Sequence, residues 1–170
     1  MFGFQLWLNL PAADKLGPAG YRDFAPAEIP RLTSVRGVEV TVIAGRFKEG
    51  EQEQNGAVQR PHTEPQLFDL KLPAGACVMP ELPRGHNVLL HVFEGELMVR
   101  GQHDQTVKSG QLARLGDGDS LHLTSALGAR VLLIAGRPLH EPIVQHGPFV
   151  MNTREQIEQA LADFRSGRFA

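Results

Sequence analysis

The sequence predicts a mainly β domain, a small antiparallel barrel accompanied by one C-terminal α-helix. Three observations carry that prediction. From residue 66 onward, short runs of alternating apolar and polar residues follow one another at close intervals, the spacing of a sandwich or barrel. Glycines sit between those runs, and the whole chain has 18 Gly and 12 Pro, a composition that favours tight turns over long helices. Only one segment, close to the C-terminus, repeats its apolar residues at the helical period.

In chain order, residues 4–10 alternate Phe4, Leu6 and Leu8 with Gln5, Trp7 and Asn9, the period-2 pattern of a half-buried strand. Pro11 ends that run, and residues 12–30 are rich in Pro, Gly and Ala and read as a long connection. A strand is expected over 38–44, followed by a polar stretch, 49–55, that reads as a mobile loop because it has no apolar anchor. Further strands are expected at 66–72, 76–79, 88–94, 96–100, 111–115, 120–124 and 130–135. The helix should begin after Thr153, with Gln156 completing a capping box. Ile157, Ala160, Leu161 and Phe164 form its apolar stripe and Gly167 is placed to stop it. That stripe needs a surface, either on the same chain or on a two-fold partner. The organisation expected is 1–60 as an N-terminal strand and linker, 61–150 as the barrel, and 151–170 as the helix.

A chain of 170 residues can bury a core without disulfides or metal. Seventeen basic and nineteen acidic residues give a net charge of −2, and no Lys/Arg run is present to neutralise consecutive phosphates, which argues against direct nucleic-acid binding. Cys77 is the only cysteine, so no internal disulfide can form. No apolar run reaches membrane-spanning length, and the first residues lack a secretory-signal pattern. A cytoplasmic location is the expectation.

Residues 146–157 (His-Gly-Pro-Phe-Val-Met-Asn-Thr-Arg-Glu-Gln-Ile) resemble the C-terminal signature of the pirin family, within the cupin superfamily. Residues 4–11 (Phe-Gln-Leu-Trp-Leu-Asn-Leu-Pro), Glu28-Ile29-Pro30 and Pro138-Leu139-His140-Glu141-Pro142 fit the same family pattern. The resemblance spans nearly the whole chain but only the second half of a pirin, with the metal-binding N-terminal cupin missing from it. It implies a cupin-type double-stranded β-helix. It also implies that the family's metal, usually iron on three histidines and a glutamate, belongs to the first barrel. Some bacterial pirins resemble quercetin dioxygenases, and eukaryotic ones act as redox-sensitive nuclear cofactors; both roles are tied to that first half.

Matching the residues to the cupin metal motifs supports a metal-free barrel. Counting back from Gly95-Glu96, the glutamate ligand position falls at Val88 and the histidine pair around Leu82 to Arg84, while the later histidine falls near Arg130 or Val131. None of these residue types suits a metal that needs several converging His or carboxylate donors. The same registration turns Val88, Leu90 and Val92 inward as a possible apolar pocket lining, and Leu89, His91 and Phe93 outward. The alternative is a quercetinase-like enzyme with an unusual ligand set drawn from His62, His86, His91 and Glu94, holding iron or another divalent metal. A loop pair of His62 with Glu64 is also conceivable. His122 should be exposed, His146 should support the turn before Phe149, and Glu141 should anchor backbone. Cys77, with no cation nearby in sequence, reads as packing, and Trp7 as a core or interface residue. No phosphate loop, nucleophile elbow or zinc-protease helix motif is present.

The expectation is therefore a non-catalytic, metal-free binding, assembly or regulatory module, without cofactor, membrane or nucleic acid. A homodimer is expected, with a separately supplied N-terminal cupin as a further possible partner.

Overall fold

A computed structural model describes residues 3–168. The chain divides into two compact units, residues 23–138 and residues 1–22 together with 139–170.

The larger unit is a curled antiparallel half-barrel. Its strands are β1 (Arg31–Thr33), β2 (Glu39–Ala44), β3 (Arg46–Glu49), β4 (Gln52–Asn55), β5 (Gln66–Leu72), β6 (Cys77–Val78), β7 (Asn87–Arg100), β8 (Gln105–Lys108), β9 (Leu112–Arg114), β10 (His122–Thr124) and β11 (Ala129–Gly136). The main sheet runs β1-β2-β5-β11-β7-β10-β6, with β8 and β9 also paired to β7. Burial explains the curl. Alternate residues of β2, β5, β7 and β11 (among them Val40, Val42, Phe68, Leu70, Leu90, Val92, Val131 and Leu133) are withdrawn from water into one cluster. At about 25 cal/mol per Å² of apolar surface, that burial dominates the unit's stability. Phe47 and Phe68 meet edge to face at its centre, with ring centroids 5.5 Å apart.

Strands expected at 88–94 and 96–100 are one strand, β7, that bends at Gly95. The β7–β11 register skips a residue between Val92 and Glu94, a bulge that sharpens the local twist. Gly95 has φ +73°, and a Cβ there would lie 2.1 Å from the Gly128 carbonyl oxygen, so both backbone conformation and close approach demand glycine.

Two expectations are corrected. The polar stretch 49–55 is not a mobile loop: β3 and β4 pair as a hairpin with Glu49 opposite Gln52. Gly50, φ +58°, supplies the positive φ that a two-residue hairpin turn needs at its first central position. Phe47, two residues before Glu49 on the same face, is fully buried and anchors the hairpin. The run 4–10, in contrast, belongs to no strand among the described residues. Alternation prepares a strand, but a ladder also requires a neighbouring edge, and Trp7 is 68% exposed instead.

The smaller unit contains a 3-10 turn (Ala12–Asp14), the hairpin β12 (Val144–His146) and β13 (Phe149–Met151), and α1 (Arg154–Arg165). Thr153 and Gln156 form the expected capping box, a feature whose loss typically costs about 1 kcal/mol. Gly167, φ +69°, follows the helix, where its N–H donates to the Phe164 carbonyl. The apolar stripe packs on the unit's own hairpin: Ile157 and Ala160 bury against Met151, and Phe164 meets Phe149 edge to face at 5.8 Å. Glu141 accepts hydrogen bonds from the Ala12 backbone N–H (2.8 Å) and from Asn152 (2.9 Å), the anchoring role expected of it. Lys15 donates to Asn9 and to the Val150 carbonyl. Burial lowers its pKa, partly offset by the attraction of Glu141.

Candidate functional site at the mouth of the half-barrel

The inner wall and the end of the half-barrel differ in kind. Leu90 and Val92, predicted to face inward, are fully buried within the core cluster. Val88, earlier on the same face, is only half-buried and lines a cavity. That cavity opens to solvent, has a volume of about 1280 Å³ and is bordered by Val35, Arg36, the β3–β4 turn and the segments 79–88 and 115–121. The size is ample for a small molecule.

Two histidines of the alternative ligand set are committed elsewhere. His86 lies in the loop before β7, its side chain 3% exposed, with Nε2 3.3 Å from Glu64 Oε2. Glu64 also pairs with Arg137 and has a positive φ of 43°, a conformation that costs a non-glycine residue energy. His91 is on the outward face of β7, where Nδ1 lies 3.2 Å from the Gln111 carbonyl oxygen and the ring stacks on Phe93. Glu94 is exposed and 3.7 Å from Arg130, and His62 is exposed in the 61–63 turn. The structure therefore does not gather His62, His86, His91 and Glu94. Among the described residues, no three His, Cys, Asp or Glu side chains are placed to hold a metal ion. The positions matching cupin ligands are Leu82, Arg84 and Val88, with Val131 fully buried in the core. A family metal does not fit this donor set.

The remaining candidates are placed as follows. His122 is half-buried rather than exposed, because β10 pairs with β7 and sets it opposite Arg100. His146 is exposed and pairs with Phe149 across the β12–β13 turn. Cys77 does have a cation beside it: the Arg36 guanidinium donates to Sγ across 41 positions of sequence. This contact raises the Arg36 pKa above its ordinary value, without effect on a group that is already charged at neutral pH.

Sequence reasoning missed Glu49. Its residue surface is 8% exposed. Oε1 accepts a 2.7 Å hydrogen bond from the Met79 N–H, while Oε2 is buried with no partner. His86 Nδ1 is likewise buried without a partner, and both residues line the large cavity. In the neutral ring, a proton on Nε2 facing the Glu64 carboxylate leaves Nδ1 as an acceptor. Buried polar atoms are nearly always satisfied, so these two unpartnered atoms, on residues that line one cavity, make it the candidate site. The signal for Glu49 lay in its two-residue spacing from Phe47 ahead of a Gly-Glu turn.

Comparison with known proteins agrees with the fold. A family model described as Pirin C-terminal cupin domain matches residues 67–170. A Pseudomonas aeruginosa protein named "Putative quercetin 2,3-dioxygenase" is 59% identical over 170 residues, covering all of this chain and 60% of that protein. A "Pirin-like protein" of Caulobacter vibrioides is 43% identical over 99% of this chain and 59% of its own length. The crystal structure of a quercetin 2,3-dioxygenase from Acinetobacter baumannii superposes with a TM-score of 0.82 at 31% identity, over 96% of this chain and 55% of that one. The chain thus spans about 60% of the length of these curated relatives. Among the described residues, no helix is long and apolar enough to cross a membrane.

Proposed function

The chain belongs to the pirin family, and from that premise we propose that it is a metal-free, ligand-binding cupin that performs no oxygen chemistry of its own. The observation that carries this reading is the inner wall. At the positions where a metal-binding cupin presents imidazoles and a carboxylate, this chain carries Leu82, Arg84, Val88 and Val131, and the inner wall of Leu90, Val92, Leu97 and Leu133 is fully buried. A hydrated cation placed there would lose its solvation shell without gaining donors, at a cost of several kcal/mol. The test is elemental analysis of the purified chain followed by an aerobic flavonol assay with added ferrous iron. Substoichiometric metal and no turnover are expected; stoichiometric metal with turnover would overturn the proposal.

The dioxygenase names of the relatives favour a second reading at the level of a longer protein, in which a partner cupin supplies the metal and this half-barrel completes the assembly. A homodimer or a separate N-terminal cupin would then cover the apolar side chains Phe4, Leu6, Trp7 and Leu8, which are all 46% or more exposed. Light scattering across a wide concentration range, with and without that cupin, reads this directly. A monomer under every condition would contradict it.

A further inference from the structure

We propose that the mouth of the half-barrel binds a small organic cation, a protonated amine carrying an apolar body, with Glu49 as its counter-charge. This rests on the reading of the chain as a binding module and names the chemistry of its ligand.

The first ground is charge. The side chains lining the cavity include Glu49, Glu51, Glu81, Asp117 and Asp119 against Arg36 and Arg84. Asp119 is paired with Arg84 at 2.8 Å and Glu81 with Lys48 at 2.6 Å. Glu49, Glu51 and Asp117 are then left facing one guanidinium, Arg36, which is itself engaged with Cys77. The cavity therefore favours a positive guest. Glu49 matters most because it is held out of bulk water, where its charge is poorly screened and a nearby cation gains more from it than from a surface carboxylate. An anionic ligand without a proton to donate would leave Oε2 unpaired, while a neutral O–H or N–H donor would supply a hydrogen bond without the charge attraction that an ammonium adds.

The second ground is shape and polarity. Met79, Leu82, Val88, Leu115 and Leu121 line the same cavity, a surface suited to an aliphatic or aromatic body. His86 Nδ1 is a second buried atom without a partner, an acceptor in the neutral ring whose Nε2 proton faces Glu64. The two open groups ask for N–H or O–H donors, and the net charge selects ammonium. A bare divalent ion lacks the apolar body this wall would cover, and the described residues offer no group of three donors to hold one.

The full chain would be titrated with 2-phenylethylamine and with its neutral analogue 2-phenylethanol at neutral pH, by calorimetry and by amide chemical shifts. The amine is expected to bind and to shift the amides of Glu49, His86, Leu115 and Leu121, with the alcohol at least about tenfold weaker. Glu49→Gln should remove most of that preference. Absence of amine binding, equal affinity for the alcohol, a preference that survives Glu49→Gln, or displacement of the amine by manganese alone would each overturn the proposal. If Glu49→Gln fails to fold, the amine-against-alcohol comparison on the unaltered protein decides. Failure here with a metal-free, flavonol-inactive protein would sink only the ligand assignment. Stoichiometric metal with flavonol turnover would sink the underlying reading instead.

Discussion

Strand β7 and the loop before it draw on one stretch of sequence and yield two opposite environments. Leu90 and Val92 are fully buried within the apolar core cluster. His86 and Val88 lie at the mouth, where a buried imidazole nitrogen and the Glu49 carboxylate oxygen have no hydrogen-bond partner. The wall follows the rule that apolar surface is removed from water for stability. The mouth departs from the rule that buried polar atoms are satisfied, at a cost in stability that ligand binding can recover. The contrast separates what holds this half-barrel together from the surface at which a ligand is proposed to bind.

Damage to the wall should have the largest effect. Leu133 is fully buried among the core strands, so Leu133→Ala is expected to destabilise the protein by about 3 kcal/mol through lost transfer energy plus a residual cavity, read by urea denaturation. A loss below about 1 kcal/mol would mean that the wall is loosely packed. Gly95→Ala should come next, at about 2 kcal/mol, because the new Cβ meets the Gly128 carbonyl in a positive-φ conformation. Thermal melting of that variant would show whether the bend in β7 is as constrained as its geometry implies.

At the mouth the sign should reverse. Glu49→Gln retains an acceptor for the Met79 N–H and removes a carboxylate whose Oε2 has no hydrogen-bond partner, at the cost of its attraction to Arg36, so it is expected to raise stability by no more than about 1 kcal/mol. Chemical denaturation of ligand-free protein reads this, and a clear loss would show that the Glu49 charge is satisfied in solution. The smallest effect belongs to the rim. Hydrogen bonding to Lys48 holds the Glu81 carboxyl below its ordinary pKa. A depressed folded value means that its stabilisation is complete above the unfolded carboxylate pKa and disappears as pH falls through the lower folded value. Melting curves in acid should therefore show a slight excess loss relative to Glu81→Gln, small because the pair is solvated.

Much of the wall was legible before the structure. The alternation of Val88, Leu90 and Val92 with Leu89, His91 and Phe93 gave the two faces of β7 correctly, because one residue's slip would have exposed every apolar side chain. The Thr153–Gln156 capping box was readable for a local reason, since it is written within four residues. The mouth was much less legible. Glu49 was hidden because carboxylates are seldom buried and the segment around it is polar throughout. The Arg36–Cys77 contact joins the turn between β1 and β2 to β6, 41 positions away, and no local pattern records it. The run at 4–10 shows the opposite failure, since its alternation is complete and yet no ladder forms among the described residues.

The most direct test of a dry, metal-free wall beneath a polar mouth is paramagnetic broadening of amide resonances on adding manganese to the isotopically labelled protein. Signals of Leu90, Val92, Leu97 and Leu133 should keep their full intensity, with any broadening confined to the acidic rim around Glu51 and Asp117. Selective loss of the inner-wall signals at stoichiometric manganese would place an ion inside the half-barrel and contradict the account.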